Sequence, residues 1–154
     1  MASSTTQNGK TVRLLGLISV VIGVIMIVAG AVTWGMVSSK LAAENITVSG
    51  DAPMFAGAKV TGPLEAFVQA DVINHHALDA TSGKTYAELD REDPLRATAM
   101  NASFLRSSLF TSVIAFGVAL FAIGVGALAV VIGWALRLVG ARVPATAEAA
   151  TVTA

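Results

Sequence analysis

Polar and apolar positions segregate along this chain into long blocks. Residues 14–37 and 107–136 contain no charged side chain and few polar ones. A helix rises about 1.5 Å per residue, and the hydrocarbon core of a bilayer, about 30 Å thick, needs about 20 apolar residues. Both blocks exceed that length and leave residues over for tilt. The pattern predicts an all-α membrane protein, with two antiparallel transmembrane helices joined by a mostly helical extracytoplasmic segment. The expected divisions are a disordered cytoplasmic N-terminus at 1–13, the first span at 14–37, the extracytoplasmic segment at 38–106, the second span at 107–136 and a disordered cytoplasmic tail at 137–154. A cleaved signal peptide is the alternative for 14–37. The apolar core of a signal peptide runs only about 7–15 residues, however, and no convincing small-x-small cleavage site follows at the right distance.

Small residues are patterned inside the spans. Gly16, Gly23 and Gly30 recur every seven residues, as do Ser112, Ala119, Gly126 and Gly133, while Gly117 and Gly124 form a second stripe on the second span. Lipid offers no hydrophobic drive to pair helices, so association relies on small residues that let backbones approach. A spacing of seven suits a left-handed crossing near 20°. The first stripe is expected to pack against one of the other two, leaving the spare stripe as a candidate docking face. The simpler account is that glycine is common in membrane helices.

Between the spans, the first helix is expected to run on to about Glu44. Residues 45–49 alternate as a short extended piece, and 50–62 form a loop containing Gly50, Pro53, Gly57 and Gly62. Gly62-Pro63 starts a helix over 63–80, because proline is tolerated at the first helical position. At 100° per residue Leu64, Phe67, Val68 and Leu78 share one face of it, and Asp71 and His75 fall within that face. Ser82-Gly83 ends the helix. The spacing of Thr85 and Glu88 suits a capping box and a short helix over 86–91. Asp93-Pro94 then starts a helix that continues unbroken into the second span, with Arg96, Met100 and Phe104 on its stem.

Composition agrees with this picture. Of the 154 residues 55% are hydrophobic and only 13% charged, against about 25% charged in an ordinary soluble domain. There are no cysteines, which excludes disulfides and thiolate chemistry. Formal net charge is zero, with no basic tract to neutralise phosphates, so nucleic acid is not an expected partner. Lys10 and Arg13 precede the first span and Arg137 and Arg142 follow the second, while all acidic residues but Glu148 lie between the spans. Positive flanks stay inside, so both termini are expected in the cytoplasm of a multi-pass cell-membrane protein, although Lys40 and Arg106 also flank the spans. Trp34 and Trp134 stand near span ends, where an amphipathic ring anchors at the interface.

Few residues offer chemistry. Asp71, His75 and Asp79 are spaced four apart on the expected helix, so an acid and an imidazole one turn apart can hydrogen-bond, sense protons or, with a further ligand, hold a divalent metal. The plainer alternative is a satisfied polar pair. Adjacent His75 and His76 diverge by about 100° and cannot both face one ion without distortion. The run Glu88, Asp90, Arg91, Glu92, Asp93 reads as a solvated turn, or as a docking epitope in which Arg91 and Arg96 pair with a partner. The chain has no nucleophile elbow, phosphate-binding glycine loop, dinucleotide fingerprint or zincin motif. No charge lies within a span, which argues against an ion path through this chain alone.

The stretches FAGAKVTGPLEAFVQADVINHH, GKTYAELDREDPLR and LRSSLFTSVIAFGVAL resemble a group of small, uncharacterised actinobacterial two-helix membrane proteins. Some members carry an automatic label as subunits of an aromatic-ring-opening dioxygenase. Such an enzyme needs an iron site, typically two histidines and a carboxylate, and adjacent His75 and His76 suit that triad poorly. The resemblance therefore implies a membrane class and no catalytic role. The expectation is a non-enzymatic structural or accessory subunit without cofactor, partnered by the lipid bilayer and by another membrane protein or its own copies. The alternative is an extracytoplasmic pH- or ligand-sensing module using Asp71 and His75.

Overall fold

The computed structural model describes residues 5–142. The expected disorder at 1–4 and 143–154 lies outside them. Among the described residues there are three helices and no strand: α1 Thr5–Ala43, α2 Pro63–Ala80 and α3 Leu95–Arg142. The stretches Gly9–Ala43 and Leu95–Arg142 are each long and apolar enough to cross a membrane, with mean hydropathies of 2.8 and 2.6. Residues 5–13 and 137–142, expected to be irregular, are helical instead. No proline interrupts them, and adding residues to an existing helix costs far less than nucleating one.

The chain divides into two compact units, residues 1–31 with 121–154 and residues 32–120. In the first unit α1 and α3 meet on glycine. A Cβ built on Gly16 would fall 2.6 Å from the Gly133 carbonyl oxygen, and one on Gly133 would fall 2.5 Å from that of Gly16. Gly23 and Gly126 repeat the relation at 2.5 and 2.6 Å, and a Cβ on Gly140 would lie 2.9 Å from the Gly9 oxygen. Residue numbers thus rise on α1 as they fall on α3. Each glycine turns a Cα hydrogen toward the facing carbonyl, a contact worth about 0.5–1 kcal/mol. The Ser19 hydroxyl adds a hydrogen bond of 2.8 Å to the Ala129 carbonyl.

The second unit is built around α2. Leu41, Val48, Val60, Ala66, Val68, Ala70, Val72, Leu109 and Phe116 form its core, with Trp34, Val37 and Phe110 packed against it. The loop before α2 folds back on itself. Thr47 and Lys59 make an isolated antiparallel bridge, and Val48 donates to Ala58 and Val60 to Ile46, each at 2.9 Å. This pairing buries Val48 and Val60 together. The Ser38 hydroxyl ties α1 to the loop through the Thr61 carbonyl at 2.7 Å, and buried Gln69 accepts from the Ser49 N–H at 2.9 Å.

Two expectations for this unit are corrected. The buried face of α2 carries Ala66, Val68, Gln69, Ala70 and Val72, whereas Leu64 and Phe67 are 63% and 51% exposed. Of the expected face Val68 is buried and Leu78 half-buried, so the packed side is rotated away from Leu64 and Phe67 rather than opposite to them. Alanine adds only a methyl group and lets a helix approach its neighbours closely, so Ala66 and Ala70 mark the packed side. The expected helix over 86–91 is only a turn. Glu88 does reach back to the Thr85 N–H and hydroxyl at 2.8 and 2.7 Å, but one turn with Asp90 and Asp93 following does not repay helix nucleation. The other end signals are realised. α2 ends with Ser82 at φ 54° and the Gly83 N–H on the Leu78 carbonyl at 2.7 Å, and Asp93 caps the Leu95 N–H at 2.8 Å.

The seam yields a test. Gly23→Ala and Gly126→Ala place a methyl group against a backbone oxygen, and each is expected to destabilise by about 1–3 kcal/mol. Gly124 has nothing within 4 Å of its Cβ position, and alanine favours a helix by about 1 kcal/mol over glycine, so Gly124→Ala should be neutral or stabilising. Thermal unfolding in neutral detergent, followed by circular dichroism, separates these cases. Equal losses at all three positions would refute the seam.

Candidate functional site

The acid and imidazole groups singled out in the sequence lie on the exposed side of α2. Asp71 and His75 lie one turn apart with Nε2 and Oδ2 at 3.5 Å, and their side chains are 57% and 69% exposed. The helical pattern places this pair on the buried face of α2. Because the helix packs through Ala66 and Ala70 instead, the pair stands in solvent, where such a contact contributes little. Asp79 is exposed and joins neither histidine. Among the described residues no group of three or more His, Cys, Asp or Glu side chains is arranged to hold a metal ion.

The shorter contact involves the other histidine. His76 Nε2 lies 2.7 Å from Asp51 Oδ2, joining α2 to the loop that carries the Thr47–Lys59 bridge. The bond from His76, and next the backbone N–H of Asp51 itself, hold the Asp51 carboxyl below the usual carboxylate range. Bonds from the backbone N–H and then the hydroxyl of Thr85 do the same for Glu88. Sequence reasoning missed the Asp51–His76 pair because nothing local joins residues so far apart. Only the folding of the 45–62 loop onto α2 brings them together.

The candidate docking arginines differ from one another. The Arg96 guanidinium donates to the carbonyls of Leu89 at 2.7 Å and Tyr86 at 3.3 Å and stacks 4.0 Å from the Tyr86 ring centre. It is thus occupied in holding the turn over 85–93, while Arg91 is exposed. Arg106 bonds the Asn74 amide oxygen at 2.9 Å and lies over Phe110, whose ring meets Phe67 edge-on at 5.7 Å.

The two tryptophans also differ. Trp34 is half-buried and meets buried Phe116 edge-on at 4.7 Å, so it packs within the second unit. Trp134 is 63% exposed. Of the small residues singled out, Gly16, Gly23, Gly126 and Gly133 make the seam, Gly30 and Ala119 are buried, and Gly117 and Gly124 have nothing within 4 Å of a Cβ. Gly9 and Gly140 continue the seven-residue spacing, a signal present in the sequence but hidden by the expectation of disordered ends.

Compared with family models, curated proteins and solved structures, the chain matches none.

The Asp51–His76 bond gives a pH dependence. A carboxyl lowered in the folded state stabilises that state above its unfolded pKa, and the contribution is lost as pH falls through the lowered folded value. The melting temperature of the wild type should therefore fall as the medium is acidified below the usual carboxylate range. In Asp51→Asn that portion of the decline should disappear. Superimposable acid limbs for the two proteins would show that the bond does not contribute.

Proposed function

We propose that this chain is a small integral protein of the cell membrane and serves as a structural or accessory subunit rather than as an enzyme. In this reading the helices α1 and α3 cross the bilayer antiparallel, both termini lie in the cytoplasm and residues 38–106 lie outside. The carrying observation is that both long helices are strongly apolar, yet only 17% of each apolar window is buried within the chain. A core helix of a water-soluble protein would be mostly buried. Here Ile114, Phe121, Leu128 and Val131 are 66%, 71%, 59% and 60% exposed. Leaving apolar surface in water costs about 25 cal/mol per Å², and lipid removes that cost.

Further support comes from the opposing order of the glycine contacts, which suits an antiparallel pair. The cations before residue 14 and after residue 136 suit cytoplasmic ends. The docking role draws on Gly117 and Gly124. They share a stripe with open space above each, where the backbone of another helix can approach as α1 approaches Gly126. The occupant in this reading is another membrane protein or a second copy of this chain. The sensing alternative draws on Asp71 and His75, but their solvent exposure leaves them little to transmit.

Two measurements on the full chain check the proposal. Alkaline carbonate washing should leave the protein in the membrane fraction, and its release would remove the integral-membrane reading. Extraction in mild detergent should then yield a stoichiometric complex, with itself or with another membrane protein. Gly117→Leu with Gly124→Leu should dissociate that complex while thermal stability stays unchanged. A monomeric wild type without a partner would refute the docking role.

A further inference from the structure

The first unit carries a cleft that the glycine seam does not fill. Arg13 of α1 and Trp134, Arg137 and Leu138 of α3 line about 300 Å³ of space, at the lower end of the size range for small-ligand sites. The three α3 residues share one helix face through their three- and four-residue spacing. Glycine brings the arginines there. The Arg137 Cγ would lie 2.9 Å from a Cβ on Gly16, and the Arg13 Cγ 2.7 Å from a Cβ on Gly140. Each arginine stem therefore lies across the opposite helix at a glycine, and both arginines line the same cleft.

Among the described residues of the unit nothing neutralises them. Its described residues include Lys10, Arg13, Arg137 and Arg142 but no Asp or Glu. Neither Arg13 nor Arg137 makes an ion pair or a ring contact among the described residues. Two guanidinium groups beside an apolar helix repel each other in a setting of weak screening, and an anion between them reverses the sign of that interaction. A guanidinium presents planar paired donors that match phosphate oxygens. The rest of the lining is apolar. Trp134 and Leu138 continue the exposed line of Val131 along α3, which a free phosphate would not use and an acyl chain would.

We propose that this cleft binds an anionic phospholipid, its phosphate held between Arg13 and Arg137, Trp134 beside the glycerol and the acyl chain along Val131. The inference rests on the membrane reading above. It goes beyond general attraction of basic flanks to a charged leaflet, because it names a cleft shared by two helices and an aromatic wall.

The test uses the full chain in phosphatidylcholine nanodiscs containing an equal small fraction of either brominated phosphatidylglycerol or brominated phosphatidylcholine. Bromine quenches tryptophan on contact, and Trp134→Phe supplies the Trp34 background. Trp134 should favour the anionic lipid roughly tenfold, about the ratio one charge-assisted hydrogen bond supplies. The preference should vanish in Arg13→Gln with Arg137→Gln, whose helix content and melting temperature serve as the folding control. Lys10→Gln, outside the cleft, should retain it. Equal quenching by the two lipids would overturn the site while leaving the membrane reading intact. Quenching by neither would overturn the membrane reading itself. Loss of the preference on adding millimolar inorganic phosphate at constant ionic strength would overturn the lipid assignment in favour of a free anion.

Discussion

Between Gly16 and Gly133, and again between Gly23 and Gly126, a single added methyl group would fall 2.5–2.6 Å from a carbonyl oxygen. α1 and α3 are therefore held at a separation that only glycine permits, and the first unit depends on it. In the proposed membrane setting two apolar helices gain little from hiding hydrocarbon from hydrocarbon. They gain from dispersion over closely apposed backbones, from weak Cα–H···O contacts and from the occasional polar bridge such as Ser19 to Ala129. The same lack of side chains gives the stems of Arg13 and Arg137 room to cross the seam. One constraint thus accounts both for how the helices pair and for why two cations line one cleft.

The second unit works differently. Its core is conventional, with valines and alanines packed to near-complete burial, and its buried polar side chains have partners. Gln69 is among the least exposed residues of α2 and accepts a loop N–H. Thr81 closes the end of the same helix on the Ala77 carbonyl. These bonds, with Ser38 to Thr61 and Arg106 to Asn74, join loop to helix and helix to helix without disulfides. The conspicuous acid and imidazole groups stand outside that framework. Asp71 and His75 are solvated, whereas Asp51 and His76 brace the loop.

Much of the architecture is legible in sequence, because long apolar blocks and punctuation by Pro63, Ser82-Gly83 and Asp93-Pro94 are local signals. The glycine spacing carries the seam as well, and even its continuation to Gly9 and Gly140. What could not be read depends on choices made in three dimensions. Hydrophobic weight on α2 favours Leu64 and Phe67, while close packing favours Ala66 and Ala70, and that rotation moves Asp71 and His75 into solvent. The Thr85–Glu88 pairing forms, yet a single turn is too short to become a helix. Asp51 finds His76 only through a loop whose path no local pattern encodes.

The seven-residue repeat of the seam carries an ambiguity. Slid by one heptad, about 10.5 Å along the axis, α1 would set Gly9 against Gly133 and Gly16 against Gly126, and glycine would still oppose glycine. A periodic interface of this kind permits close approach but does not count. The edge-on pair of Trp34 and Phe116 has no duplicate one heptad away. Aliphatic residues occupy the neighbouring heptad positions: Ile27 and Leu41 on one helix, Leu109 and Ile123 on the other. Within the second unit that aromatic contact therefore admits one pairing of its two residues, which the aliphatic neighbours would not reproduce.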